Sequence, residues 1–269
     1  MPDSSIRRPM LERQVHTTAG AAPITWGIAV ETPVEIGINA SPWTVMMATP
    51  EDLEDLAVGI TLTERFITDI PAIERIEISN YLDGVAVDVI VAARAVNDSA
   101  RRRRSLEGRV GCGLCGVEAL AGLPARPDGT VRPRVQIDES AVRRAFDALA
   151  SQQPLNRATH SVHAAAWCRP GGEIDLVRED VGRHNALDKV IGALARSGRL
   201  DEPGFIVLTS RCSFELVYKA AATRAGVLAT ISAPTSLALE WSTTLGLPLL
   251  CLGPDRTIVG FTTDPNRAA

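Results

Sequence analysis

The chain has 269 residues, 45% of them hydrophobic, with Lys+Arg 28 against Asp+Glu 32 and a net charge of −4. That balance excludes a general nucleic-acid binder, whose surface would be basic throughout, and no segment approaches the roughly 18 uninterrupted apolar residues of a membrane span. The 5 cysteines (112, 115, 168, 212, 251) are too few and too irregularly spaced for a disulfide scaffold. With no signal-like apolar stretch near Met1, they predict a reduced, cytoplasmic setting.

Residues 1–25 mix Pro, Arg, Ser and Ala without periodicity and predict a loose arm. Residues 26–93 read as a small α+β domain. Ile28, Val30, Val34, Ile36 and Ile38 alternate as a strand broken at Pro33, and Trp43–Met47 supplies a second. A helix follows with Thr49 as N-cap and Pro50 in its first turn, carrying Leu53, Leu56, Ala57 and Ile60 on one face. Ile73–Ser79 and Val85–Val91 then predict a hairpin about Asp83-Gly84.

Residues 94–134 read as a mobile connector containing Arg101-Arg102-Arg103-Arg104 and the loop Gly111-Cys112-Gly113-Leu114-Cys115-Gly116. A cysteine is a nucleophile only as the thiolate, and neighbouring guanidinium charge lowers its pKa. The flanking glycines leave both sulfurs reachable, so Cys112 and Cys115 are candidate reactive thiols.

Residues 135–269 alternate helices and short apolar strands, which predicts a layered α/β domain. Helices are expected after Asp138, over Asn185–Arg196, Ser213–Arg224 and Thr235–Thr244, and in an Ala-Ala-Ala-Trp run ending at Cys168. Strands are expected at Glu173–Val177, Phe205–Leu208, Val227–Ile231, Pro248–Leu252 and Thr257–Phe261. Ligands of such sheets gather where strand C-termini meet helix N-termini, here Thr209-Ser210-Arg211 and Ser232-Ala233-Pro234-Thr235. The run Glu179–Lys189 packs acid, base and amide groups around a helix start, which suits either a phosphate or a cap with surface ion pairs.

Taken together, Glu179–Lys189, Cys112-Gly113-Leu114-Cys115-Gly116, Arg211-Cys212-Ser213-Phe214-Glu215 with Lys219, and Ser232–Ala238 resemble the FdhD family. Glu31-Thr32-Pro33, Val45-Met46-Met47 and Thr49-Pro50 through Gly59 extend the resemblance over roughly residues 26–263. It implies a cytidine deaminase-like fold for the second domain and a homodimer. It also implies a sulfurtransferase acting as sulfur carrier from a cysteine desulfurase to the molybdenum bis-guanine-dinucleotide cofactor of formate dehydrogenase. Cys112 is then expected to carry the persulfide with Cys115 as helper, although the sequence does not distinguish the two thiols. His163, Asp180, Arg183, His184, Lys189, Arg211, Ser213, Val259, Gly260, Phe261, Thr262, Thr263 and Asp264 are expected to meet the cofactor, with GDP as its mimic. The chain departs from the family pattern where glycine is usual, at Arg65, His160, Ser161 and Ser210.

Three other chemistries compete. Zinc deamination needs His-x-Glu followed by Pro-Cys-x-x-Cys, but His163-Ala164-Ala165 has no acid and the cysteine pair precedes it. A structural zinc could use Cys112 and Cys115 with His160 and His163. A non-catalytic chaperone for the cofactor would leave nearly the same sequence. Cys168, Cys251 and Cys212 read as packing residues.

Overall fold

The structure, a computed structural model, describes residues 8–16, 23–67, 70–92, 96 and 135–261. Its first elements correct the expected loose arm. Strand β1 (Met10–Val15) pairs antiparallel with β2 (Ile24–Ala29) as a separate two-stranded ribbon. The ribbon is positioned from outside itself: a Cβ on Gly27 would lie 2.5 Å from the Ala158 carbonyl oxygen, and the Trp26 and His160 rings stand 5.5 Å apart.

The next elements are β3 (Thr32–Ile38), β4 (Ser41–Ala48), α1 (Leu53–Thr63), β5 (Ile73–Tyr81) and β6 (Gly84–Val91). They form a sheet of order β4-β3-β6-β5, in which β3 and β6 are parallel and the two hairpins antiparallel. Pro33 sits inside β3 rather than breaking it. It pairs with Met47 of β4, while β6 joins only from Val34, so its missing N–H falls before the second ladder begins. Val34, Ile36, Val85, Val87 and Val89 pack against Leu56, Ala57 and Ile60 of α1. Each such buried side chain contributes about 1.5–3 kcal/mol relative to exposure.

Helix α1 begins at Leu53, not at Pro50, after Asp52 adopts a left-handed conformation with φ 53°. Thr49 does not cap it because its polar atoms are engaged elsewhere. At the other end the Arg65 N–H donates to Leu62 O at 2.9 Å and the Phe66 N–H to Thr61 O at 2.8 Å, a Schellman closure. Arg65 pays the left-handed strain (φ 58°) that a glycine would avoid. Its guanidinium, 5.5 Å from the Tyr218 ring centroid, offsets part of that cost.

The second sheet contains β7 (His163–Cys168), β8 (Ile174–Asp180), β9 (Phe205–Leu208), β10 (Leu228–Thr230), β11 (Leu249–Leu252) and β12 (Ile258–Phe261), in the order β12-β11-β10-β9-β7-β8. Its helices are α2 (Glu139–Leu149), α3 (Pro154–Thr159), α4 (Arg183–Arg196), α5 (Phe214–Ala220) and α6 (Ser236–Leu245). The run Ala164–Cys168 is a strand, which corrects the expected helix. Ala165 and Trp167 face the core of α4, α5 and α6, whereas Ala166 and Cys168 face the core of α2. A strand covered on both faces loses the alternation that identifies strands, and alanine's helix propensity then misleads.

Helices α1 and α4 cross at glycine. A Cβ on Gly59 would lie 1.8 Å from Asp188 O, and one on Gly192 would lie 1.8 Å from Asp55 O. Charges line the same seam. Asp55 receives Arg178 Nη2 at 2.7 Å and Arg196 Nη1 at 2.6 Å, while Asp188 receives Lys219 Nζ and the Thr63 hydroxyl, each at 2.8 Å.

Candidate functional site

Strands β9, β10 and β11 are parallel, and β8 runs the same way because β7 is antiparallel to both β8 and β9. One edge of the sheet therefore collects the turn after β8, the loops after β9 and β10, and the start of β7. His163 stands there directly opposite Asp180. The loops after β9 and β10 are tied by a parallel bridge between Cys212 and Pro234 and by the Thr235 N–H donating to Cys212 O at 3.0 Å. Both segments singled out for strand C-termini thus lie on one edge of the sheet, where ligands of such sheets gather.

The turn Asp180–Gly182 leads into α4, whose first N–H groups have no helical carbonyl to bond. Asp180 and Lys189 are both fully buried and hold this turn from behind. Asp180 Oδ1 accepts the Gly182 N–H at 2.8 Å and Asn185 Nδ2 at 2.9 Å, and Oδ2 accepts the Thr49 N–H at 3.0 Å and Lys189 Nζ at 2.6 Å. Lys189 Nζ also donates to Thr49 O at 3.0 Å and Glu179 O at 3.4 Å. All three of its donors are spent inside the protein, so these two residues shape the site rather than reach a ligand.

His163, Arg183, His184, Arg211 and Ser213 share the edge itself. Burial lowers the pKa of His163 and the Arg183 charge lowers it further, favouring a neutral imidazole. His184 Nε2 lies 3.4 Å from Ser213 Oγ and 3.7 Å from Glu215 Oε2. Arg211 is exposed at the end of the loop after β9. The edge thus offers helix-start amides, two guanidiniums and two imidazoles, the donor chemistry that suits a phosphorylated ligand.

Val259, Gly260 and Phe261 sit on β12, the outermost strand. Val259 pairs with Cys251 near this edge, whereas Phe261 pairs with Leu249 at the far end and packs against the α4–α6 core. Thr262, Thr263, Asp264, Cys112 and Cys115 lie outside the described residues. Of the other cysteines, burial pushes the thiols of Cys168 and Cys212 up to about 12 and raises that of Cys251, which removes their nucleophilicity near neutrality. Among the described residues no cluster of three or more His, Cys, Asp or Glu could hold a metal, and no helix is long and apolar enough to cross a membrane.

Sequence reasoning left Thr49, Asn185 and Glu215 out of the site. Asn185 and Glu215 lie inside the runs that carried the resemblance, so adjacency could have found them. Burial works to raise the Glu215 carboxyl, but the neighbouring His184 and Ser213 side chains outweigh it and hold it down at about 2. A depressed carboxylate stabilises the fold above its unfolded pKa and loses that contribution as pH falls toward its folded value. The stability gap between the wild-type protein and Glu215→Gln is therefore expected to be full above about pH 4.5 and to shrink between there and about pH 2. Urea unfolding of both proteins across that range measures it; a gap independent of pH would contradict the charged contact.

The fold and this edge define a class: a mixed α/β protein of three sheets that presents helix-start amides and cations at strand C-termini. The FdhD/NarQ family model matches residues 29–267. The chain is 42% identical over 260 residues to the sulfur carrier protein FdhD of Xanthomonas axonopodis pv. citri (strain 306), covering 96% of this chain and 92% of that protein. It is 46% identical over 213 residues to the sulfur carrier protein FdhD of Cupriavidus necator (strain ATCC 17699), covering 79% and 74%. A crystal structure of a candidate formate dehydrogenase accessory protein from Desulfotalea psychrophila superposes with a TM-score of 0.71 at 23% identity, over 96% of this chain and 97% of that one. The chain belongs to the FdhD/NarQ family.

Proposed function

We propose that this protein is a cytoplasmic sulfur carrier for formate dehydrogenase, taking sulfur from a cysteine desulfurase and passing it to the molybdenum bis-guanine-dinucleotide cofactor. Family membership supports the carrier role. The observation that carries the binding half is the gathering of the α4 N-terminus, Arg183, His184 and Arg211 on one sheet edge, where a nucleotide's phosphates find both amides and positive charge. The described residues fit such a ligand as bound substrate. Val259, the β12 residue nearer that edge, would flank it, and Thr262, Thr263 and Asp264 stay in the reading on the resemblance alone. GDP is its expected mimic.

In the loading step the Cys112 thiolate attacks the outer sulfur of the donor persulfide. The donor's S–S bond breaks, its inner sulfur leaves as a thiolate, and Cys112 becomes the persulfide. Cys115 relays or resolves it. The same reading includes a homodimer and a division into units over 26–93 and 135–269. It also assigns cytidine deaminase-like layering to the six-stranded sheet, supported by its mixed strands with helices on both faces.

Cys112→Ala is expected to abolish maturation of formate dehydrogenase in cells while leaving the melting temperature unchanged, since the residue is read as part of an exposed loop. Maturation that survives in this variant and is lost in Cys115→Ala would reverse the roles of the two thiols; survival in both would end the carrier reading.

A further inference from the structure

We propose that Thr49 is a positioning residue of the ligand edge, by which the N-terminal unit holds the turn that leads into α4. The inference rests on the reading above only in taking that turn to face a ligand. Thr49 is wholly buried and uses every polar atom it has on the turn or on the lysine that braces it. Its N–H donates to Asp180 Oδ2 at 3.0 Å, its carbonyl accepts from Lys189 Nζ at 3.0 Å, and its hydroxyl accepts the Val181 N–H at 3.2 Å. These bonds span 131, 140 and 132 residues of chain. The neighbouring Met47 carbonyl accepts Asn185 Nδ2 at 2.9 Å, so two residues at the end of β4 hold the same turn.

This arrangement explains why Thr49 does not cap α1. A residue whose side chain caps a helix accepts from the second or third helical N–H, whereas this hydroxyl is spent on Val181, between the acid that organises the turn and Gly182. A turn held in this way keeps the first amides of α4 aimed at the sheet edge before any ligand arrives. Such preorganisation raises affinity by reducing the ordering that binding demands.

The test compares Thr49→Val and Thr49→Ser with the wild-type protein. Valine keeps the shape and both backbone bonds and removes only the acceptor for Val181; serine keeps that acceptor. Thr49→Val is expected to speed amide exchange at Val181, Gly182 and Arg183 in the ligand-free protein and to weaken GDP binding about tenfold, the effect of leaving one donor unpaired. Thr49→Ser is expected to restore both. Exchange and affinity unchanged in Thr49→Val would overturn the proposal, as would a serine variant as impaired as the valine one, because a role in packing alone would not be rescued by the smaller hydroxyl. If wild-type protein fails to bind GDP, the ligand reading falls, and faster exchange confined to Val181–Arg183 still decides whether Thr49 holds the turn.

Discussion

Gly192→Ala is expected to lose about 3 kcal/mol of folding stability, the upper range for forcing a methyl group into a packed interior. The added carbon would overlap the Asp55 carbonyl oxygen, and the nearest relief is to push α4 away from α1. That movement would also stretch the Arg196–Asp55 ion pair and the Thr63–Asp188 hydrogen bond, which cross the seam. Gly198→Ala serves as the control. It has φ 70° with nothing near the added carbon, so it costs only the left-handed backbone strain, about 1 kcal/mol. Equal losses in the two variants, measured by chemical denaturation, would mean that the helices do not cross as closely as the structure shows.

Lys189→Met is expected to cost about 3–5 kcal/mol, because it leaves the carboxylate of Asp180 buried without its counter-charge. Both groups are fully buried, so water cannot replace the missing cation. The Thr49 and Glu179 carbonyls lose a donor at the same time. Adding Asp180→Asn removes the stranded charge and should recover part of the loss, which separates a charge effect from lost packing. A single variant as stable as the wild-type protein would show that Asp180 is neutral or solvated in the fold.

Much of this architecture was legible in the sequence because its signals are local. The hairpin about Asp83-Gly84, the apolar face of α1, and the strand at Phe205–Leu208 all follow from periodicity and turn chemistry within a dozen residues. The elements that were misread depend on distant contacts. β7 looks helical because alanines suit both states, and only burial between two helical layers makes it a strand. β1 has no pattern of its own and is placed by the docking of β2 on α3. Thr49 satisfies every local rule for a helix cap, yet its partners lie more than a hundred residues away.

The site divides in the same way. Clustered charge and glycine pointed to the turn at Glu179–Lys189, and strand-end logic pointed to Arg211; the structure brings the two together on one edge. Which members open onto the edge and which brace the turn was not legible, since Asp180 and Arg183 are both charged residues at a helix start. Burial separates them: Asp180 is wholly enclosed, whereas Arg183 remains partly open. The departures at Arg65 and His160 become intelligible too. Both positions have positive φ, and each residue adds a ring contact that glycine could not make, with Tyr218 and Trp26 respectively.

The carrier role itself is tested most directly by intact-mass analysis of the protein after incubation with a cysteine desulfurase and cysteine, followed by peptide mapping under non-reducing conditions. The account predicts a gain of one sulfur atom, localised to the peptide containing Cys112 and Cys115 and absent from Cys168, Cys212 and Cys251, whose thiols burial keeps protonated. A mass that does not change, in protein that still binds GDP, would contradict the carrier role and leave a cofactor chaperone in its place.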